Sequence, residues 1–136
     1  MNRQDLQQLA DIRQNEVEVL LDNHQYSGAY YLSGYIVEYA LKACIAKQTK
    51  EYDFPDKKTV LNSYNHNLVK LVKVANLETD LRQYRGNPSF EARWLTVRRW
   101  TEESRYERHD RQTALDIYES ITNPNYGVLQ WLQQHW

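Results

Sequence analysis

The segment from Arg93 to Arg111 carries the highest density of side chains that can bind an anion. It contains six Arg, two Trp, one Tyr and one His. Guanidinium groups bind phosphate through paired hydrogen bonds, and aromatic rings stack on bases, so this composition favours contact with RNA or a nucleotide. Four acidic residues are interleaved with these groups, and a solvated, charge-balanced helix face is therefore the alternative. The candidate RNA- or nucleotide-binding residues are Arg98, Arg99, Trp100, Tyr106 and Arg108.

Arg105 and His109 are the two residues of this segment whose spacing could support chemistry. Three residues separate them, which on a continuous helix is one turn, so both side chains would reach one phosphate. Two alternatives remain open. His109 could be a surface histidine among charges, and Arg105 could stack on Trp100 or pair with a buried Glu38.

A second polar group lies within the long apolar stretch 30–45. Glu38 and Lys42 stand one helical turn apart with the acid first, the favourable order for an ion pair, and we predict a structural polar pair. His66 is expected to serve the start of a helix. No spacing of His, Cys and Asp indicates a metal site. No Gly-rich phosphate loop is present in the sequence, and we expect no cofactor.

Length and composition predict a single helical domain over residues 1–136. The net charge of −1 means that any contact with nucleic acid must come from a local patch. The one cysteine, Cys44, excludes a disulfide framework. The sequence has no apolar run of membrane-spanning length and begins with a polar, Gln-rich segment, so we expect a cytoplasmic protein.

The apolar periodicity predicts the elements that would position these residues. Stretch 30–45 is apolar almost all the way round a helix, which is typical of the central helix of a bundle. Segment 50–65 is predicted to be irregular. Helices are predicted over 5–23, 27–47, 65–81 with a break near Asn76, from 88 onward, 111–121 and 128–132. The expected fold is all-α: an up-down four-helix bundle with one or two extra short helices.

Three motifs, in this order, resemble the HEPN family of small helical domains and together span roughly residues 5–125. The first is Gly34-Tyr35-x-x-Glu38-x-Ala40-Leu41-Lys42-Ala43, similar to the central helix of the family. The second is His66-Asn67-Leu68-x-x-Leu71, similar to the opening of its next helix. The third runs from Trp94 through Trp100 to Ser104-Arg105-Tyr106 and resembles a bacterial subgroup.

This resemblance implies a homodimer that cleaves RNA without a metal ion, using the RNA 2′-hydroxyl. Arg105 would stabilise the phosphate and His109 would act as general acid or base, so both are candidate catalytic residues. The family motif has about four to six residues between its Arg and His, whereas this chain has three. A nucleotidyltransferase antitoxin is the implied partner, in a toxin–antitoxin or defence setting. The family's modified Tyr position corresponds to Arg111, so that mode of control is not transferred.

Three classes of function therefore stay open. The first is the ribonuclease toxin implied by the resemblance. The second is a non-catalytic HEPN domain that binds RNA or a nucleotide through the Arg- and Trp-containing segment. The third is a dimeric protein-interaction module that docks through its Tyr-rich faces, since the chain contains eleven Tyr.

Overall fold

The computed structural model describes residues 1–49, 54 and 56–136. Within these residues all regular structure is helical, which confirms the all-α class. Eight α-helices and one 3₁₀ helix follow one another along the described ranges. They are α1 (Arg3–Asp22), α2 (Tyr26–Lys47), α3 (Lys57–Ser63), α4 (Leu68–Val74), α5 (Glu78–Tyr84), α6 (Pro88–Val97), the 3₁₀ helix (Glu102–Tyr106), α7 (Arg111–Thr122) and α8 (Val128–Gln133).

Helix α2 is the centre of the molecule, as its apolar composition predicts. Twelve of its 22 residues are buried, and it packs against α1, α4, α7, α8 and the 3₁₀ helix. Only three residues connect it to α1, so the two longest helices form a hairpin. Groups that contact the buried face of α2 are therefore held against a closely packed element.

The structure has more short helices than the sequence predicts. Besides the four longer helices α1, α2, α6 and α7, the described residues contain four α-helices of six or seven residues. The predicted third helix is divided at Asn76, whose φ of 57° is left-handed and ends α4. The expectation of one or two additional short helices is therefore wrong.

Helix α3 corrects the prediction that segment 50–65 is irregular. Asp56 caps this helix by accepting a hydrogen bond from the Thr59 backbone N–H at 2.9 Å. The sequence of α3 lacks the apolar stripe by which helices are recognised. Helix α3 accordingly has no buried residue. Residues 50–53 and Pro55, which belong to the same predicted segment, lie outside the described residues.

The C-terminal helix closes the core. Trp131 is fully buried, and its indole N–H donates a hydrogen bond to Asp80 Oδ2 at 2.6 Å. No helix in the described ranges has the length and apolar character that crossing a membrane requires.

Candidate functional site

The segment between α6 and α7 is not a continuous helix. After α6 ends at Val97, Thr101 is extended, with φ −137° and ψ 160°. The 3₁₀ helix follows, and the backbone is again extended at Glu107 and Asp110. The expectation that Arg105 and His109 occupy one face of a regular helix is therefore wrong.

Trp100 explains this break, and its position corrects the prediction that Trp100 binds RNA or a nucleotide. Only 1% of the residue is exposed, and its indole N–H donates to the Tyr31 carbonyl oxygen at 3.0 Å. The ring lies against the backbone of Gly34 and makes an edge contact with Tyr35 at 5.2 Å between centroids. This anchoring against α2 interrupts the helix, and a buried ring cannot stack on a base. Trp100 is a core residue rather than an RNA contact.

Arg105 projects from the end of the 3₁₀ helix and is exposed. Its guanidinium carbon lies 4.8 Å from the centroid of the Tyr106 ring, which is itself 74% exposed. Tyr106 raises the pKa of the Arg105 guanidinium, and the Glu102 carboxylate raises it further. Arg105 contacts neither Trp100 nor Glu38 as the alternative expected, so its charge is available at the surface.

The remaining candidate arginines are all exposed but point to two regions of the surface. Burial and the Glu107 carboxylate raise the pKa of the Tyr30 hydroxyl, and the charge of Arg99 acts on the same hydroxyl in the opposite direction. Arg98 instead lines a separate cavity of about 250 Å³ together with Arg82 and Arg85. Within the described part of the chain, Arg98, Arg99, Arg105 and Arg108 form no ion pair.

His109 is held against α2 rather than exposed. Its backbone N–H donates to Ser27 Oγ at 2.9 Å, and its ring stacks on Tyr30 with 3.8 Å between centroids. Nε2 lies 3.3 Å from Glu107 Oε2, but this buried nitrogen has no hydrogen-bond partner in the described residues. The alternative of a surface histidine is wrong, since the side chain is only 12% exposed.

Glu38 contacts a second group of polar side chains. The residue is 1% exposed, and Oε2 accepts a hydrogen bond from Lys42 Nζ at 3.1 Å. Oε1 lies 2.9 Å from Nδ1 of His66, and the other ring nitrogen, Nε2, is 3.4 Å from Glu102 Oε2. The Glu38–Lys42 contact has the spacing and order that the sequence indicates.

The place of His66 in this group differs from the helix-start role that its sequence position predicts. The helix α4 cap is supplied by Asn67, which accepts from the Lys70 N–H at 3.0 Å, so His66 is free to turn toward α2. One signal was present: a carboxylate on the core face of an apolar helix needs more than one donor when it is buried. The identity of the second donor depends on a contact across 28 residues, which periodicity cannot reveal.

Among the residues that the structure describes, no group of three or more His, Cys, Asp or Glu could hold a metal ion. Comparisons of the chain with models of protein families, with curated proteins and with solved structures find no match. Function is therefore inferred from the geometry above and from the motifs that resemble the HEPN family.

Proposed function

We propose that the protein is a HEPN-type ribonuclease that binds RNA through the segment between α6 and α7 and cleaves it without a metal ion. The observation that carries the proposal is the set of exposed guanidinium groups of Arg99, Arg105 and Arg108, which form no ion pair with described residues. Such groups can contact successive phosphates at no cost in broken ion pairs. The exposed Tyr106 ring adds a surface for base stacking.

The proposed reaction uses the RNA itself as nucleophile. The 2′-hydroxyl oxygen attacks the adjacent phosphorus, the bond from phosphorus to the 5′-oxygen breaks, and the products are a 2′,3′-cyclic phosphate and a 5′-hydroxyl. One group must accept the proton of the 2′-hydroxyl and another must donate a proton to the leaving oxygen. Arg105 is the proposed ligand of the phosphate, where its charge stabilises the crowded transition state.

RNA binding without cleavage is the second candidate. It is favoured by the burial of His109 Nε2 beside Tyr30 and Glu107, since a general acid or base must reach the reacting atoms. Under this candidate the same arginines bind RNA and no bond is broken.

The proposed assembly is a homodimer, as the resemblance implies. The setting is a toxin–antitoxin or defence system in the cytoplasm, with a nucleotidyltransferase as the neutralising partner. A nucleotidyltransferase that co-purifies with the chain and abolishes its cleavage of RNA would support this setting.

The experiment compares Arg105→Ala with Arg3→Ala in cleavage of single-stranded RNA in the presence of EDTA. Both side chains are exposed, but Arg3 lies in the first turn of α1 and does not belong to the segment between α6 and α7. We expect Arg105→Ala to lose at least about 100-fold in cleavage rate and Arg3→Ala to retain the wild-type rate.

RNA binding at increasing salt separates the two candidates. Affinity that falls steeply with salt, without cleavage by the wild type, would replace the ribonuclease by the binding domain. Equal activity of the two variants, or absence of both binding and cleavage, would contradict the role of this surface.

A further inference from the structure

The contact between Glu38 and His66 fixes the orientation of an imidazole ring. The Glu38 carboxylate is held within α2, and its Oε1 lies 2.9 Å from His66 Nδ1. An ionised carboxylate only accepts hydrogen bonds, so Nδ1 carries the proton of this contact. The ring is thereby held with its second nitrogen, Nε2, directed away from α2 and toward the 3₁₀ helix, where Glu102 Oε2 lies at 3.4 Å.

This second nitrogen borders an open cleft. The cleft has a volume of about 390 Å³ and lies between segment 64–67 on one side and Thr101–Glu103 on the other. The His66 side chain is 42% exposed, compared with 12% for His109. Of the two histidines near the segment between α6 and α7, His66 is the one whose reactive nitrogen a substrate can reach.

Two groups suited to proton transfer face this cleft from different elements. Glu102 is 36% exposed and presents a carboxylate oxygen that can accept a proton. His66 presents a ring nitrogen that can donate one. Arg105 lies three residues after Glu102, one turn of the same 3₁₀ helix, and the charge of Glu102 is among the causes that raise the pKa of the Arg105 guanidinium, after that of Tyr106. A phosphate contact is therefore close to the two proton-transfer groups.

We propose that His66 and Glu102 form the acid–base pair that cleaves the RNA phosphodiester, in place of His109. This assignment rests on the proposed ribonuclease function. Glu102 accepts the proton of the 2′-hydroxyl as the oxygen bonds to phosphorus. The protonated His66 donates its Nε2 proton to the departing 5′-oxygen as the bond from phosphorus to that oxygen breaks. The reaction leaves Glu102 protonated and His66 neutral, and solvent restores both groups.

The first experiment measures metal-free cleavage of single-stranded RNA by His66→Gln, His109→Gln and the wild type. Glutamine at position 66 can still donate to Glu38, so the fold is expected to persist, and urea denaturation checks it. We expect His66→Gln to cleave at least about 100-fold more slowly than the wild type. We expect RNA affinity within about two-fold of the wild type for this variant, because the substitution affects the transition state. His109→Gln should lose less than about ten-fold.

A modified substrate separates an acid catalyst from a structural histidine. An RNA with sulfur in place of the bridging 5′-oxygen has a leaving group that needs no proton, so it should be cleaved at a near-wild-type rate by His66→Gln. Glu102→Gln should stay slow on both substrates, because the 2′-hydroxyl must still lose its proton. Glu16→Gln is the matched control, since the Glu16 side chain on α1 is 44% exposed and lies outside the cleft, and this substitution should leave the cleavage rate unchanged.

The outcomes distinguish the assignment from the function on which it rests. Wild-type cleavage with an equally active His66→Gln variant, or a slow variant that the sulfur substrate does not restore, would overturn the role of His66 and leave the ribonuclease standing. Absence of cleavage by the wild type would overturn both.

Discussion

At Gly34 the backbone of α2 lies directly against the indole ring of Trp100. A Cβ atom added at this position would lie 1.9 Å from Trp100 Cδ2 and 2.0 Å from Cε2, which is far inside van der Waals contact. The close approach lets the Trp100 indole N–H reach the Tyr31 carbonyl oxygen. The absence of a side chain at Gly34 thus allows the Trp100 ring to lie against α2.

We predict that Gly34→Ala destabilises the protein by at least about 2 kcal/mol, because the overlap forces Trp100 from its site in a packed core. Gly28→Ala is the control in the same helix, where an added Cβ would meet Leu20 Cδ1 at an ordinary 3.6 Å. This control should be neutral or gain about 0.5 kcal/mol, since Ala favours helix over Gly. Urea denaturation measures both, and equal stability of the two variants would contradict the account of Gly34.

Glu38 is the buried charge on which the polar group of α2 depends. We expect Glu38→Ala to lose about 3 kcal/mol, because Lys42 and His66 would both be left without their carboxylate. The Glu16 carboxylate, in a surface pair with Arg13 and 44% exposed, provides the control, and Glu16→Ala should lose less than about 1 kcal/mol. The free energy of unfolding of each variant gives the comparison, and a loss below 1 kcal/mol at Glu38 would show that the pair is dispensable.

At the scale of elements, the start of α7 is set by Asp110. Its side chain accepts a hydrogen bond from the Thr113 backbone N–H at 2.8 Å, and this bond is the main cause that lowers the pKa of the Asp110 carboxyl. The cap also ends the extended stretch that carries His109, so it determines where the segment between α6 and α7 stops.

The lowered pKa of Asp110 gives a prediction about pH. The ionised carboxylate is favoured by folding, so its contribution to stability is present above the unfolded pKa of about 4 and is lost as pH falls through the lower folded pKa. Asp110→Asn keeps a capping oxygen but does not titrate. The stability of the wild type relative to this variant should be constant above about pH 5 and should decrease below about pH 4. A difference that is independent of pH in urea denaturation would contradict this role.

The elements also show how far the sequence determines the structure. The apolar residues of α2 and the turn residue Asn76 indicate a central helix and a break, and both are observed. Helix α3 was missed because it has no buried face. The separation of Arg105 from His109 was missed because it depends on the long-range anchoring of Trp100 by Tyr31, 69 residues away. The partnership of His66 with Glu38 likewise depends on tertiary contact.

At the scale of the whole molecule, the proposed homodimer has a direct test. Light scattering coupled to size-exclusion chromatography should give a mass close to twice the 16.3 kDa of the chain. The value should persist on dilution into the low micromolar range if the interface is of standard size. A mass of one chain at all concentrations would contradict the dimer. Any activity would then come from the single cleft of a monomer.

The chemistry of the RNA ends after incubation with the wild-type protein in EDTA gives the decisive test of ribonuclease activity. Mass spectrometry of the products should find 2′,3′-cyclic phosphate and 5′-hydroxyl ends, and Arg105→Ala should strongly reduce both. RNA that remains intact under conditions in which the protein is folded would contradict the proposal that this chain is a ribonuclease.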